Sequence, residues 1–370
     1  MTENKNSKIE YRLTYVNGLK FEIISDNGKN FEYDVVFRER NHEVNLFEAK
    51  LKANTWAKVN KRYLLDVIIY IYHDSKIVLE IDVIDYMSGK NVFINFESKA
   101  LGDTIAWMPY CEEFRKKYNC NVIVSTFHNY IFEKEYESIR FVGRGILVND
   151  IFAMFDIGWF FDKDREPFPP QTIPLQSAAT NILRLPYIEL RPKIRLEPSE
   201  RLIQTKYVCI STHSTSNLKY WAYWQPVIDF LRANNYKVVE ISKEETNYNN
   251  LEYVEDKSIT NIISLLSHCD FFIGLSSGIS WLAWALNKRV YMIANFSHKE
   301  HEFQSNCIRI TNTNVCHGCW NNPLFKFNRG DSNWCPEHED TVRAFECHKL
   351  IPAETVIKSI IDNDGLNNLN

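Results

Sequence analysis

The sequence predicts an α/β chain in three parts: a small β-sandwich or barrel, then two halves of parallel strands and covering helices that face a central cleft. Three observations lead there. From Tyr11 to about Met87 short β-branched stretches alternate with turn formers; from Asn91 onward apolar strand-length runs alternate with helical ones; and a late Cys-x-x-Cys pair has two more cysteines after it.

Size and composition set the frame. The chain has 370 residues, 45% hydrophobic and 24% charged, which suits two or three ordinary globular domains with cores of their own. A formal net charge of −4 gives no pull toward nucleic acid, whose binders carry a basic patch or stripe. The polar start MTENKNSKIEYRLTYV lacks the basic and apolar regions of a secretion signal. No run approaches the ~20 apolar residues of a membrane span; Leu64 to Tyr72 is broken by Asp66. A cytoplasmic location is therefore expected. In that reducing compartment nine cysteines do not form a disulfide framework. Cys111, Cys120, Cys209, Cys269 and Cys307 read as small buried thiols. Aromatics make up 14%, and Trp107, Trp221, Trp224, Trp281, Trp284, Trp320 and Trp334 lie near the motifs below.

The elements follow in order. Tyr11–Val16 and Lys76–Val83 alternate, and Asn17-Gly18 and Asp26-Asn27-Gly28 mark turns, as antiparallel hairpins require. This β domain is assigned residues 1–88. Val92–Phe96, the amphipathic run Asp103–Tyr118 and Asn121–Ser125 form a βαβ unit, continued through Ile139–Val142 and interrupted by the loop Glu166-Pro167-Phe168-Pro169-Pro170. This first Rossmann-like half is assigned residues 89–195, on the acceptor side. A connection from Leu190 to about Gln204 leads to the second half, residues 196–370. Its strands are Tyr207–Ser211, Lys237–Ile241, Asp270–Gly274 and Val290–Ala294, with helical runs at Tyr223–Asn234 and Thr260–His268. Ligands of open α/β sheets bind beyond the carboxyl ends of the strands.

Four constellations lie at such positions or carry distinctive ligands. In Glu97-Ser98-Lys99-Ala100-Leu101-Gly102-Asp103-Thr104, Asp103 can cap the helix or act as a general base; a capping carboxylate is the poorer base. Ser211-Thr212-His213-Ser214-Thr215-Ser216-Asn217-Leu218-Lys219 offers hydroxyls and an ammonium to a diphosphate, or is a plain hydrophilic loop. Gly274-Leu275-Ser276-Ser277-Gly278 before an apolar helix makes an anion site, or a tight turn with a serine cap. Cys316-His317-Gly318-Cys319 with Cys335 and Cys347, inside segment 307–350, suits a closed four-sulfur site for zinc or iron; His317, His338 or His348 could replace a cysteine. A metal would order the loop Trp320–Trp334, whose own core is small.

Together these residues resemble the bacterial autotransporter heptosyltransferases, a branch related to the lipopolysaccharide heptosyltransferases. The resemblance covers nearly the whole chain and rests on Ala100–Trp107, Leu218-Lys219-Tyr220-Trp221, Gly274–Trp284 and the four late cysteines. It implies an inverting GT-B enzyme, an ADP-heptose donor, and serine or threonine acceptors on an autotransporter passenger. It also implies Asp103 as catalytic base, Lys219 stabilising the departing ADP, and Thr212, Ser276, Ser277 and Gly278 along the diphosphate. Glu240 is the candidate for the nucleotide ribose, and Cys316, Cys319, Cys335 and Cys347 for one structural iron ion, zinc being the alternative. Where lipopolysaccharide relatives often carry an acidic residue and threonine, Ser276-Ser277 stands here. The β domain could support a homo-oligomer.

Three other readings compete. A lipopolysaccharide-core heptosyltransferase would use the same donor, but the β domain and cysteines count against it. A non-catalytic nucleotide-sugar-binding partner protein would bind donor without releasing ADP. A zinc-ribbon nucleic-acid module needs a basic face that 43 basic against 47 acidic residues do not supply.

Overall fold

Alternation along Leu19–Ser25 turns Leu19, Phe21 and Ile23 inward, and the same period buries Tyr33, Val35 and Phe37 and then Val67, Ile69 and Ile71. Each such side chain contributes about 1.5–3 kcal/mol by leaving water, which fixes the register of the strands that carry them. The computed structural model describes residues 9–42, 44–161, 163, 167–194, 201–244, 246–325 and 334–367. Outside these lie Met1–Lys8, Glu166, residues 195–200 of the connection between the halves and residues 326–333 of the late loop.

The first strands are β1 (Glu10–Thr14), β2 (Leu19–Ser25), β3 (Tyr33–Glu39), β4 (Asn45–Leu51), β5 (Thr55–Val59), β6 (Val67–His73) and β7 (Lys76–Asp82). They form two antiparallel sheets, ordered β1-β2-β5 and β4-β3-β6-β7. The turns sit where expected, with Asn27 at φ 60, Gly28 at φ 78 and Gly18 at φ 94. Two sheets over a shared core describe a sandwich rather than a closed barrel. The short helix α1 (Val83–Met87) is capped by Asp82, whose carboxylate accepts from the backbone N–H groups of Ile84 and Asp85.

A four-stranded parallel sheet follows, ordered β10-β9-β8-β11 from β8 (Asn91–Phe96), β9 (Asn121–Ser125), β10 (Arg140–Phe141) and β11 (Ala153–Ile157), with helices α2 (Leu101–Tyr118) and α3 (Leu175–Leu183). The β sandwich is stitched to it: Tyr15 bridges Ala153, its N–H donating to Phe152 O at 2.6 Å while Met154 N–H donates to Tyr15 O at 3.0 Å. The last sheet is parallel and six-stranded, ordered β14-β13-β12-β15-β16-β17. Its strands are β12 (Tyr207–Ser211), β13 (Lys237–Glu240), β14 (Glu252–Tyr253), β15 (Phe272–Leu275), β16 (Val290–Ile293) and β17 (Cys307–Ile310). Its helices are α4 (Trp224–Ala233), α5 (Ile259–His268), α6 (Gly278–Ala285), α7 (Glu346–Lys349) and α8 (Ala353–Asp364). Every residue of β12, β15 and β16 is buried, as a sheet covered on both faces requires. One core runs from the antiparallel sheets through the first half to one face of this sheet; a second lies beneath its other face, under α4 and α8.

Helix α2 is not amphipathic along its length. Gly102 through Cys111 are all buried, because α3 and α6 flank the amino-terminal half of the helix. At that end Gly102 and Gly278 meet without side chains. A Cβ on Gly102 would lie 3.3 Å from the Gly278 Cα, and one on Gly278 would lie 3.1 Å from the Gly102 N. The first turns of α2 and α6, one from each half, therefore abut beside the carboxyl ends of both parallel sheets. Of the scattered cysteines, Cys111, Cys120, Cys209 and Cys269 are buried as expected and Cys307 only in part. Among the described residues no helix is long and apolar enough to cross a membrane.

Candidate active site

Asp103 stands in the first turn of α2 yet does not cap it. The cap position belongs to Ala100, which makes no side-chain capping bond. The carboxylate instead accepts from the indole Nε1–H of Trp159 at 2.7 Å, a residue beyond the end of β11, and hydrogen-bonds with Ser98. Burial raises its pKa, and the two hydrogen bonds and the charge of Lys219 only partly offset that. The carboxylate is thus not committed to capping, and burial moves its pKa in the direction that a general base requires.

Lys219 approaches from the other half. The loop after β12 ends in a short turn at Asn217–Lys219, and the Lys219 Nζ donates to the Ser276 carbonyl at 2.8 Å. Desolvation lowers its pKa against the opposing pull of Glu302 and Asp103. Asp103 and Lys219 are therefore drawn toward their neutral forms by the same enclosure, while each favours the charge of the other.

Glu302 and Arg309 carry no local sequence signal and were not singled out above. Their buried ion pair lies directly behind the site. Glu302 accepts from the Ser276 hydroxyl and from the Ser297 hydroxyl at 2.9 Å, while Arg309 Nη2 donates to Ser297 O at 2.7 Å. Burial alone would raise the Glu302 pKa; the Arg309 charge, His301 and the Ser276 hydroxyl bring it down to about 2 from an ordinary 4.5. A depressed carboxyl contributes stability that is present above its unfolded pKa and lost as pH falls toward the folded one. Glu302→Gln should cost about 3–5 kcal/mol at neutral pH, because it strands a buried guanidinium. The gap from wild type should narrow between pH 4.5 and 2, read as urea midpoints against pH. A gap that is constant across that range would refute this role.

The remaining predicted residues stand at the carboxyl ends of adjacent strands, where Ile210 pairs with Glu240 and Ser211 with Gly274. Glu240 closes β13 fully buried, and its Oε1 accepts from Ser242 N–H at 2.7 Å and, more weakly, from Thr212 N–H at 3.5 Å. Burial raises its pKa. The Thr212 hydroxyl lies 2.9 Å from His213 Nδ1. Ser277 occupies the cap position of α6 without making a capping bond. Among the described residues, Ser277 Oγ and Glu240 Oε2 are buried without a hydrogen-bond partner. Buried polar atoms are almost always satisfied, so the Ser277 hydroxyl at the amino terminus of α6 is suited to an anionic ligand, and the Glu240 oxygen to a hydroxyl donor.

The cysteine segment packs against this site. Cys319 shares a small apolar cluster with Leu218, which precedes Lys219, and with Phe296. The turn at Cys319–Asn321 also reaches the first half, where Asn321 Nδ2 donates to Gln171 O at 2.6 Å and Gln171 Nε2 to Asn322 O at 3.1 Å. Cys316 hydrogen-bonds with Cys319, and the thiols of Cys316, Cys319 and Cys347 are raised first by burial and then by charges that include Cys335. The four cysteines are thus neighbours, although among the described residues no group of three or more His, Cys, Asp or Glu stands close enough to hold a metal ion. Of the nearby histidines, His317 Nδ1 lies 2.8 Å from Val315 O and His338 3.7 Å from Glu346, while His348 accepts at Nε2 from Asn295 N–H at 3.3 Å and has its Nδ1 3.4 Å from Cys347 Sγ.

No family model matches the chain. Comparison with individual proteins is informative. The autotransporter heptosyltransferase Aah of Escherichia coli is 32% identical over 365 residues, spanning 90% of this chain and 93% of that protein. The inactive autotransporter heptosyltransferase BimC of Burkholderia thailandensis is 27% identical over 361 residues, 90% of this chain and 82% of its own. Among solved structures, TibC from enterotoxigenic E. coli H10407 is described as a dodecameric iron-containing heptosyltransferase in complex with ADP-D-beta-D-heptose. It superposes with a TM-score of 0.83 at 27% identity, over 95% of this chain and 94% of that one.

Proposed function

The chain belongs to the autotransporter heptosyltransferases, and from that premise we propose that it moves heptose from an ADP-heptose to serine or threonine hydroxyls of an autotransporter passenger. The observation that carries this reading is that Asp103, in the first turn of α2, and Lys219, bonded to Ser276 O just before α6, come from separate halves to the place where the two helices abut, with Ser277 Oγ buried and unpartnered there. The arrangement is read as GT-B, with a β domain at 1–88, an acceptor-side half at 89–195 and a donor-side half at 196–370.

The reaction is a single displacement. Asp103 takes the proton of the acceptor hydroxyl, the acceptor oxygen bonds to the anomeric carbon, and the bond from that carbon to the diphosphate oxygen breaks with inversion. ADP leaves with the electron pair. Lys219, the amino terminus of α6 at Gly278, and Ser276 and Ser277 hold the diphosphate, stabilising the charge where it grows. Thr212 lies along the phosphates, and the unpartnered oxygen of Glu240 is available to a ribose hydroxyl. Lys219→Ala should weaken ADP binding by about tenfold or more, from the loss of one charge-assisted contact, and lower turnover as well. Wild-type values of both, by calorimetry and by ADP release, would remove Lys219 from the site.

Cys316, Cys319, Cys335 and Cys347 would hold one iron ion as a closed structural site once drawn together around it, a reading supported by their soft thiolate chemistry and by TibC being iron-containing. Bound there, it would cross-link the segment behind Lys219 and take no part in the sugar chemistry. A cytoplasmic location and a homo-oligomer complete the reading; the latter leans on TibC being dodecameric.

The decisive experiment is intact mass spectrometry of a passenger fragment after incubation with purified protein and ADP-heptose. Stepwise heptosyl additions are expected. The likeness to the inactive BimC favours one second reading, a donor-binding protein without turnover. ADP-heptose binding with no added mass on any passenger would select it.

A further inference from the structure

Trp159 follows β11 on a loop, yet three contacts fix it. Its Nε1–H donates to Asp103 Oδ2 at 2.7 Å. Its ring meets Trp320 edge-on, centroids 5.5 Å apart at 78°, and lies 6.0 Å from the His301 ring. Trp320 Nε1–H donates in turn to His301 Nε2 at 3.0 Å, and His301 Nδ1 lies 2.9 Å from Ile173 O. The imidazole is thus a neutral ring with its one proton given to a carbonyl and its other nitrogen accepting from an indole. Neither nitrogen is left for the sugar. Trp320 directly follows Cys319, and its backbone N–H is anchored on Phe296 O at 3.1 Å.

Resting on the transferase reading above, we infer that Trp159 is a positioning residue: its indole fixes the rotation of the Asp103 carboxylate toward the acceptor, and Trp320 with His301 seats that indole. A carboxylate at the end of two side-chain torsions would otherwise sample orientations that miss the hydroxyl, and a misaligned base loses rate rather than affinity. The chain of contacts runs from one half to the other, so the turn at Cys319–Asn321 serves the base on α2 as well as the lysine loop behind it.

Trp159→Phe tests this, because it keeps an aromatic ring against Trp320 while the N–H is lost together with the five-membered ring of the indole. The expected result is a kcat lower by about tenfold or more, the worth of a hydrogen bond to a charged group, with KM for ADP-heptose and for the passenger fragment within about twofold of wild type. Trp320→Phe, which breaks the bond to His301 and leaves a smaller aromatic ring, should show the same split at smaller size. A crystal structure of Trp159→Phe should show the Asp103 carboxylate turned from its wild-type orientation, a readout that does not depend on turnover. Wild-type kcat in Trp159→Phe, or an unmoved carboxylate, would overturn the inference. A raised passenger KM at unchanged kcat would also overturn it, showing the indole as an acceptor contact. A wild-type protein that transfers nothing would instead sink the transferase reading, and the crystal structure would still decide the role of Trp159.

Discussion

Asp103→Asn is expected to lower heptose transfer by roughly 10²–10⁴-fold, the usual contribution of a positioned general base, while ADP-heptose binding stays near wild type. The split follows from geometry. Asp103 is not the cap of α2, so removing its charge costs the helix no terminal hydrogen bond. An amide oxygen can still accept from Trp159 Nε1, which would otherwise be left unsatisfied at about 1–3 kcal/mol. Asparagine is therefore a cleaner test than alanine. The proposed donor contacts, Lys219 on Ser276 O and the start of α6, lie on the opposite half and do not depend on the carboxylate for their position. Single-turnover transfer and donor calorimetry on the same preparation measure both terms. Parallel loss of both would make Asp103 a structural residue instead.

The second large effect is expected from Cys316→Ser combined with Cys319→Ser. Bound metal should fall to background by elemental mass spectrometry, and the segment 307–350 should become the first site of proteolysis. In small metal-stapled folds the binding free energy, about 10–16 kcal/mol for zinc fingers, is the folding free energy. Among the described residues after β17, the apolar cluster of the segment is small: Cys319 is buried with Leu218 and Phe296, and Cys316, Trp320, Phe325 and Phe345 pack against them. Because Leu218 precedes Lys219, and Trp320 reaches His301 and Trp159, transfer should fall along with metal content. A metal-free double variant that resists protease and retains full activity would refute both the metal site and its support of the active site.

What the sequence makes legible is whatever has a local physical cause. Strands β12, β15 and β16 are unbroken apolar runs because both faces are covered, and the Cys-x-x-Cys pair declares itself by spacing. The positions of Asp103, Lys219, Glu240 and Ser277 follow from one rule, that open α/β sheets present their sites beyond the strand ends. What stayed hidden depends on distant partners. Trp159 finds Asp103 across 56 positions, and Glu302 finds Ser276 across 26, with no periodic pattern to mark either. The all-round burial of the first half of α2 has the same origin, since α6 comes far later in the chain.

The contact of Gly102 with Gly278 has a mechanical meaning. Backbone meets backbone there, with Asp103 one residue from it and Ser277 one residue away on the other side. Because no side chain stands between the two backbones, the spacing of Asp103 from Ser277 is set by the helices themselves, and a Cβ at either glycine would have to push α2 and α6 apart.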